Sequence, residues 1–478
     1  MKITLLHPAI TNYTQTHRRG SGHLGLGYLA AYLMRAGHEV RVLDAKNEPV
    51  TDQILREHVT KFQPEIFGVT AMTHEIYAAA EACAVVKRSH PEIWTVVGGA
   101  HTSALPERTL QEFPSIDIVV DGEGELTMME MLAAKAQGAR PQDLGDVLGI
   151  AFRTKEGVHH TGKRPWMEDL DALPFPAWEL FPRRISWGMM TTRGCPFGCK
   201  FCQRVLGRKM RLRSVDNVLG EIEALAERGV RDIWFRDETF GLNKRWLDEF
   251  LEKLNERNRR KGYGIVWGCN SRVNVADFER YKRMKEAGCY RVSFGVESGD
   301  EAILKKICKE ITPPMALDAI AAAQRAGLRA AAFFILGHPG ETWRTALKTM
   351  RLAAKCRADS IAVGVMVPYP GTEVWGMARH GQDGYKLLSE DWRVYDKYFG
   401  GALAVDGLSQ RQLALLQSLT YAWYFLSNAK FRQLKRFARK FRRESWRMMK
   451  LLTRPVWPPH GRRLKGEKAG VRAKEKTA

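Results

Sequence analysis

In residues 1–130, short apolar runs alternate with longer stretches whose apolar positions recur every three or four residues. KITLLHP, HEVRVLDA, IFGVTAM, WTVVGGA and DIVVDGEGE read as strands ending in Gly, Pro or polar residues. GLGYLAAYLMRAG, TDQILREHVTKF, YAAAEACAVVKRS and SALPERTLQEF read as the helices between them. This alternation predicts an α/β fold with a doubly wound, Rossmann-like parallel sheet. Such sheets bind ligands at the carboxyl ends of their strands. Here those ends read HPAI, TAMTHE, GGAHTS and DGEGE, small and polar, as close approach of backbone to a bulky ligand requires.

Residues 141–185 hold several prolines around one strand-like stretch, GIAFRT, and read as a connector. A second αβ series follows, with strands SWGMMTT, DIWFRD, GIVWGCN, YRVSFGV, RAAAFFIL and SIAVGVMV. Six βα units of about 35 residues predict a partial (β/α)6 barrel. The pattern therefore divides the chain into a sheet domain over 1–140, the connector, a barrel over 186–395, a helical region over 396–454 and a basic tail over 455–478, expected to be disordered. In KFRQLKRFARKF, Phe431, Leu434, Phe437 and Phe441 recur at helical spacing among Lys and Arg. Three readings arise: a helix packed on the body, a basic amphipathic helix on an anionic membrane surface, or RNA contact by the basic tail, for which no RNA-binding fold signature speaks.

Composition narrows the picture. The 478 residues carry a net charge of +22, of which residues 430–478 supply +15, so the basicity belongs to the end of the chain. No run of about 18 apolar residues occurs, so no membrane-spanning helix is expected. MKITLLHPAI is interrupted too soon for a signal peptide, and a cytoplasmic location is predicted. Eight cysteines in so long a chain do not form a disulfide framework, and in a reducing compartment clustered cysteines are metal ligands first.

Three of them cluster in TTRGCPFGCKFC, as Cys195, Cys199 and Cys202, directly after the first barrel strand. Structural zinc wants four ligands, often as two Cys-x2-Cys hooks, and no second hook exists. Three thiolates suit a four-iron cluster with one open iron.

The spacing, with Phe201 before the last cysteine, resembles the signature of radical S-adenosylmethionine enzymes. The N-terminal unit resembles the cobalamin-binding domain of the subgroup holding the anaerobic magnesium-protoporphyrin ester cyclase, hopanoid methylases and natural-product methylases. The resemblance covers about residues 1–395. It implies a [4Fe-4S] cluster on Cys195, Cys199 and Cys202, with S-adenosylmethionine on the open iron. Asp237, Glu238 and Thr239 match the segment that holds the methionine amine. Glu297 and Ser298 match ribose and carboxylate contacts, and Arg272 another cofactor or substrate contact. Gly337 and Gly340 match the approach to adenine. Thr70, Met72, Gly98, Gly99, His101, Gly122 and Glu123 are the expected corrinoid contacts. The Asp-x-His-x-x-Gly pattern is absent, and His7 lacks its flanking Asp and Gly, so a base-off cobalamin without a histidine ligand is expected.

The function implied is methylation of an unactivated carbon through a 5′-deoxyadenosyl radical and methylcobalamin. The partners implied are a small-molecule substrate, hydrophobic if the membrane reading holds, and a reductant such as flavodoxin or ferredoxin. Oxidative cyclisation or rearrangement without methyl transfer is the alternative. Transfer-RNA methylthiolation would need further cysteines before Cys195, where only Cys83 stands. A basic zinc-bearing nucleic-acid-binding protein is the non-enzyme alternative; no nucleic-acid partner is expected, because no binding-fold signature supports it.

Overall fold

The computed structural model describes residues 1–9, 22–182, 187–395 and 401–440. Residues 1–429 form one unit and residues 430–478 a second, and each is described by itself.

Five parallel strands build the first sheet: β1 (Lys2–His7), β2 (Glu39–Asp44), β3 (Ile66–Thr70), β4 (Trp94–Gly98) and β5 (Ile118–Val120). Between them run α1 (Leu24–Arg35), α2 (Asp52–Phe62), α3 (Ile76–Ser89), α4 (Ala100–Ala104) and α5 (Pro106–Glu112), and α6 (Glu125–Ala136) follows β5. The predicted helix SALPERTLQEF is two helices, because Pro106 has no N–H to continue α4 and instead opens α5 at its first position. The stretch read as a connector holds two strands, β6 (Ile150–Thr154) and β7 (Gly157–His160). They add antiparallel to β5, giving the order β2-β1-β3-β4-β5-β6-β7. The short apolar run of GIAFRT is that of an interior strand covered on both faces, with Ile150, Ala151 and Phe152 all buried between β5 and β7.

The second sheet contains β8 (Trp187–Met189), β11 (Asp232–Phe235), β12 (Val266–Ser271), β13 (Cys289–Glu297), β14 (Arg329–Leu336) and β15 (Ser360–Val365). Two short strands, β9 (Thr192–Arg193) and β10 (Arg211–Leu212), lie between β8 and β11 and pair only with each other. All six sheet strands are parallel and neighbours in sequence order, with β8 and β15 at the edges, which is the predicted partial barrel. Its helices are α7 (Val215–Glu227), α8 (Lys244–Lys261), α9 (Phe278–Glu286), α10 (Glu301–Lys306), α11 (Pro313–Arg325) and α12 (Trp343–Lys355). After them come α13 (Glu373–Arg379), α14 (Gln410–Ser427) and, in the second unit, α15 (Phe431–Lys440). Many begin at a side-chain cap, such as Thr51, Ser214, Asn243 and Thr312, which fixes where the strand-to-helix turn ends. The predictions for residues 441–478 lie outside the described residues. No helix among the described residues is long and apolar enough to cross a membrane.

Under α8 the barrel core is aromatic. Trp267 on β12 lies 5.4 Å from both Phe235 and Phe240, and its indole N–H donates to the Ala287 carbonyl at 2.8 Å. Trp267→Ala should cost about 3–5 kcal/mol, measured by denaturant unfolding; a loss under about 1 kcal/mol would show that this cluster does not anchor the barrel.

Candidate active site

From β8 the chain steps into β9, runs through the cysteine loop and returns as β10. Arg193 pairs with Arg211 and Thr192 with Leu212, so a two-stranded ladder closes the loop at its base. Gly194 opens the loop at φ +89°, and a Cβ there would collide with the Lys209 carbonyl, so no other residue fits without displacing the backbone. Inside the loop, Cys195 N–H donates to Gly207 O and Cys202 N–H to Cys199 O, both at 3.2 Å. Cys199 is buried, Cys195 partly buried and Cys202 exposed, and all three are free thiols. Among the described residues no three His, Cys, Asp or Glu side chains converge on a single-ion point.

Arg272, at the end of β12, is buried against this loop. Its guanidinium lies 3.6 Å from the Phe197 ring centroid and donates to Cys199 Sγ at 3.2 Å and to the Lys309 carbonyl. A hydrogen bond from Cys202, and then, against burial, Lys309 and Arg272, draw the Cys199 thiol down, while the same hydrogen bond and desolvation push the Cys202 thiol up. An electropositive pocket that favours thiolate is what a cluster ligand requires, so the loop fits the group that its motif implies.

The strand ends around the loop carry the other predicted residues. After β11, Thr239 Oγ1 lies 3.9 Å from Cys195 Sγ. Asp237 faces the other way: its carboxylate accepts from the backbone N–H and hydroxyl of both Thr191 and Thr192, at 2.7–3.0 Å. Burial still pushes it up to about 6. Glu238 keeps solvent access, and desolvation of its carboxyl together with nearby Asp237 pushes it up to about 7. At the end of β13, Glu297 takes a left-handed conformation, φ +69°, next to a register shift, and accepts from Lys309 Nζ at 2.8 Å. Ser298 is turned inward to Thr349 and accepts from Asp300 N–H, so its hydroxyl is structurally engaged. After β14, Gly337 (φ +91°) and Gly340 (φ +74°) shape a turn whose Gly337 and His338 amides both donate to Glu341.

Sequence reasoning missed three of these groups. Lys309 is buried, pairs with Glu297 and lies 5.8 Å from the Phe201 ring, but it belongs to no motif. His338 is fully buried 6.0 Å from Phe201, with neither ring nitrogen hydrogen-bonded; the nearby Glu297 carbonyl favours its charged form, yet burial draws it down to about 3. Glu341 was legible as the acid closing GHPGE, since it caps the turn that those glycines allow.

At the first sheet, Thr70 Oγ1 lies 3.5 Å from His23 Nε2, and the Met72 side chain is exposed. Gly99, at φ +114°, sits where a Cβ would come within 2.7 Å of the Ala71 carbonyl, so with Gly98 it shapes the end of β4. His101 is buried edge-on to Trp392 at 5.1 Å with Nδ1 unpartnered. His7 hydrogen-bonds Asp44 at 3.0 Å and packs edge-on to His23. Gly122 (φ +94°) borders a cleft of about 260 Å³, also lined by Ser103, Trp166, Gln203, Arg204 and Gly371. The cleft thus lies between the carboxyl ends of β4 and β5 and the cysteine loop. Gly122 and Gly371 keep two sides of that cleft free of side chains, and Trp166 offers it an aromatic wall.

Glu123 does not face that cleft freely. Its carboxylate accepts from Arg193 at 2.8 Å and from Arg211 at 2.9 and 3.0 Å, while Arg193 also donates to Glu125 at 2.6 Å. All four side chains are buried. Gln203 adds a hydrogen bond from the cysteine loop to the Ala100 carbonyl at 2.6 Å.

Residues 189–353 match the radical SAM superfamily model and residues 20–132 the B12 binding domain. An uncharacterized methyltransferase of Pyrococcus horikoshii is 35% identical over 437 residues, covering 89% of this chain and 93% of that protein. The anaerobic magnesium-protoporphyrin IX monomethyl ester cyclase of Rubrivivax gelatinosus is 31% identical over 453 residues, covering 90% and 78%. The chain belongs to the B12-binding radical SAM enzymes. Its cofactors are S-adenosylmethionine, an iron–sulfur cluster and cobalamin. The same fold occurs in the radical S-adenosylmethionine methyltransferase TsrM of Kitasatospora setae, solved with cobalamin and a [4Fe-4S] cluster, at TM-score 0.71 and 18% identity over 88% of each chain.

In this B12-binding radical SAM chain, Glu123→Gln should cost about 3–5 kcal/mol, because Arg193 and Arg211 stay buried without their charge partner; denaturant unfolding measures it, and an unchanged midpoint would show the lattice to be dispensable. Burial raises the Glu341 carboxyl from 4.5 to about 7. The native state then binds more protons than the unfolded chain between those values, so this group's contribution falls as pH rises from about 4.5 to about 7. Glu341→Gln keeps an acceptor for both amides and should flatten that decline by an amount on the order of 3 kcal/mol; parallel pH profiles of unfolding free energy would refute it.

Proposed function

We propose that this enzyme is a cobalamin-dependent radical SAM methyltransferase acting on an unactivated carbon of a small molecule. The observation that carries this reading is the placement of the first sheet's strand ends against the cysteine loop through Glu123–Arg193, Glu123–Arg211 and Gln203–Ala100. A relative named as a methyltransferase that the chain covers almost end to end supports it. Residues 1–140 would hold the corrinoid, with the β6–β7 hairpin extending their sheet, and residues 186–395 the radical chemistry.

When bound, the cluster and S-adenosylmethionine supply a radical that abstracts hydrogen, and cobalamin supplies the methyl group. The chain's residues bind and orient. Cys195, Cys199 and Cys202 would hold the cluster, with Arg272 and Lys309 favouring the Cys199 thiolate. Glu238 is the acid of its segment free to meet an ammonium, because Asp237 is committed to Thr191 and Thr192; Asp237 is a positioning residue. Glu297, fixed by Lys309, and the Gly337–Gly340 turn would meet ribose and adenine, and Ser298 orders the turn after β13. Thr70, Met72, Gly98, Gly99, His101 and Gly122 would line the corrinoid, while Glu123 holds the two halves together. His7 is engaged with Asp44, which fits a base-off corrinoid without a histidine ligand. Electrons would come from a flavodoxin or ferredoxin.

The cyclase relative supports a second reading, oxidative cyclisation or rearrangement without methyl transfer. Anaerobically purified protein should contain about four irons and one cobalt per chain, and Cys202→Ala should lose most of the iron. With reductant, substrate and methyl-labelled S-adenosylmethionine, 5′-deoxyadenosine and S-adenosylhomocysteine should form together with label in the product. 5′-Deoxyadenosine alone, with an oxidised product, would select the cyclase reading.

A further inference from the structure

The cleft beside the cysteine loop has four charged side chains in its wall: Asp121, Lys163, Arg164 and Arg204. Three are cations, and their commitments differ. Asp121 is buried and lies 3.3 Å from His160 Nε2. Arg164 is spent on Glu130, to which both terminal nitrogens donate, and on the Thr127 hydroxyl. Arg204 gives one N–H to the Phe197 carbonyl at 3.1 Å, and its ion-pair partner, the half-exposed Glu373, stands off at 3.7 Å, beyond hydrogen-bonding distance. Lys163 is exposed and has no hydrogen-bond or ion-pair partner among the described residues.

Ser103 adds a donor. Its oxygen accepts from the Gly122 N–H at 3.0 Å, and its own proton has no acceptor among the described residues. The free capacity of the wall is therefore positive and donating: a whole ammonium, most of a guanidinium and a hydroxyl proton. The same wall includes the Trp166 indole. Gly207 lets that ring approach closely, since a Cβ there would come within 2.9 Å of its Nε1, and the Arg211 guanidinium lies 5.3 Å from the ring centroid.

A cleft lined by unspent charge of one sign concentrates ligands of the other. The ring of the corrinoid does not account for that charge, because its rim carries neutral amides. Nor does the cleft enclose a whole large ligand: at about 260 Å³ it is smaller than most drug-sized sites. Its size suits one end of a small molecule. Arg204 stands two residues after Cys202, so a group held here is anchored beside the cysteine loop.

We propose that this cleft is the anion subsite for the small-molecule substrate. Lys163 and Arg204 bind an oxyanion, phosphoryl or carboxylate, and Trp166 packs against the part of the substrate next to it. That the anion belongs to a substrate rests on the methyltransferase reading; the charge preference rests on the cleft alone.

The test is acetylation of lysines in the full-length holoenzyme by an N-hydroxysuccinimide ester, read by mass spectrometry, with and without inorganic phosphate. Lys163 should react in the free protein and become protected as phosphate is titrated in, while the exposed Lys155 reacts equally throughout. Arg204→Gln should raise the phosphate concentration needed for half-protection about tenfold, as loss of a charged hydrogen-bond partner implies, and Lys163→Gln should weaken phosphate uptake in equilibrium dialysis to a similar degree. Added salt should weaken both. Loading the protein with cobinamide, which lacks the nucleotide phosphate of cobalamin, separates the two sources of anion. Equal protection in the cobalamin and cobinamide forms supports a substrate subsite. Protection in the cobinamide form alone would show the corrinoid's own phosphate filling the cleft and overturn the proposal, and so would absence of protection in both. Iron and cobalt contents of the same samples report on the methyltransferase reading separately: Lys163 left unprotected in protein with its full cobalt sinks the anion subsite only.

Discussion

The arrangement depends on four buried charges. Glu123 and Glu125 stand where the first sheet's β5 turns into α6, and Arg193 and Arg211 stand on the two-strand ladder beneath the cysteine loop. Each ion leaves water at a cost of several kcal/mol, which only its partners at hydrogen-bonding distance offset. Guanidinium forks and carboxylates meet well in few geometries. The lattice therefore admits one placement of the ladder against the sheet, and the cleft between loop and sheet follows from it.

Around the loop, charge is sorted by position. Arg272 and Lys309 surround Cys199 with positive charge and favour the thiolate. Asp237, Glu238 and Glu341 are carboxyls that burial holds above their usual range. A carboxyl poised near neutrality ionises readily when a cation arrives beside it, and S-adenosylmethionine brings a sulfonium and an ammonium. Of the three, Glu238 keeps solvent access, whereas Asp237 and Glu341 cap backbone turns. Acids close together in the sequence, or alike in burial, thus do different work because their hydrogen-bond partners differ.

Much of this was legible early. The period of the apolar residues marks the five parallel strands of the first sheet and the six of the second, because strand and helix bury different spacings. It marks β6 as the strand-like stretch GIAFRT, but not β7, nor that the hairpin of the two extends the sheet beside β5. It also runs through Pro106, where the missing N–H divides one predicted helix into two.

The sequence by itself determined the parallel αβ architecture, the three-cysteine loop with its glycines, and the charge of the chain's end, since each rests on local composition and spacing. Tertiary structure alone decided what the charged and polar groups do. Glu123 reads as a ligand contact in a glycine-rich loop, yet it is spent on Arg193 and Arg211, 70 and 88 residues away. Lys309 carries no motif, yet it is the buried partner of Glu297. A side chain's chemistry is written in its residue, but its pKa and its free hydrogen-bonding positions are set by neighbours that only folding brings together.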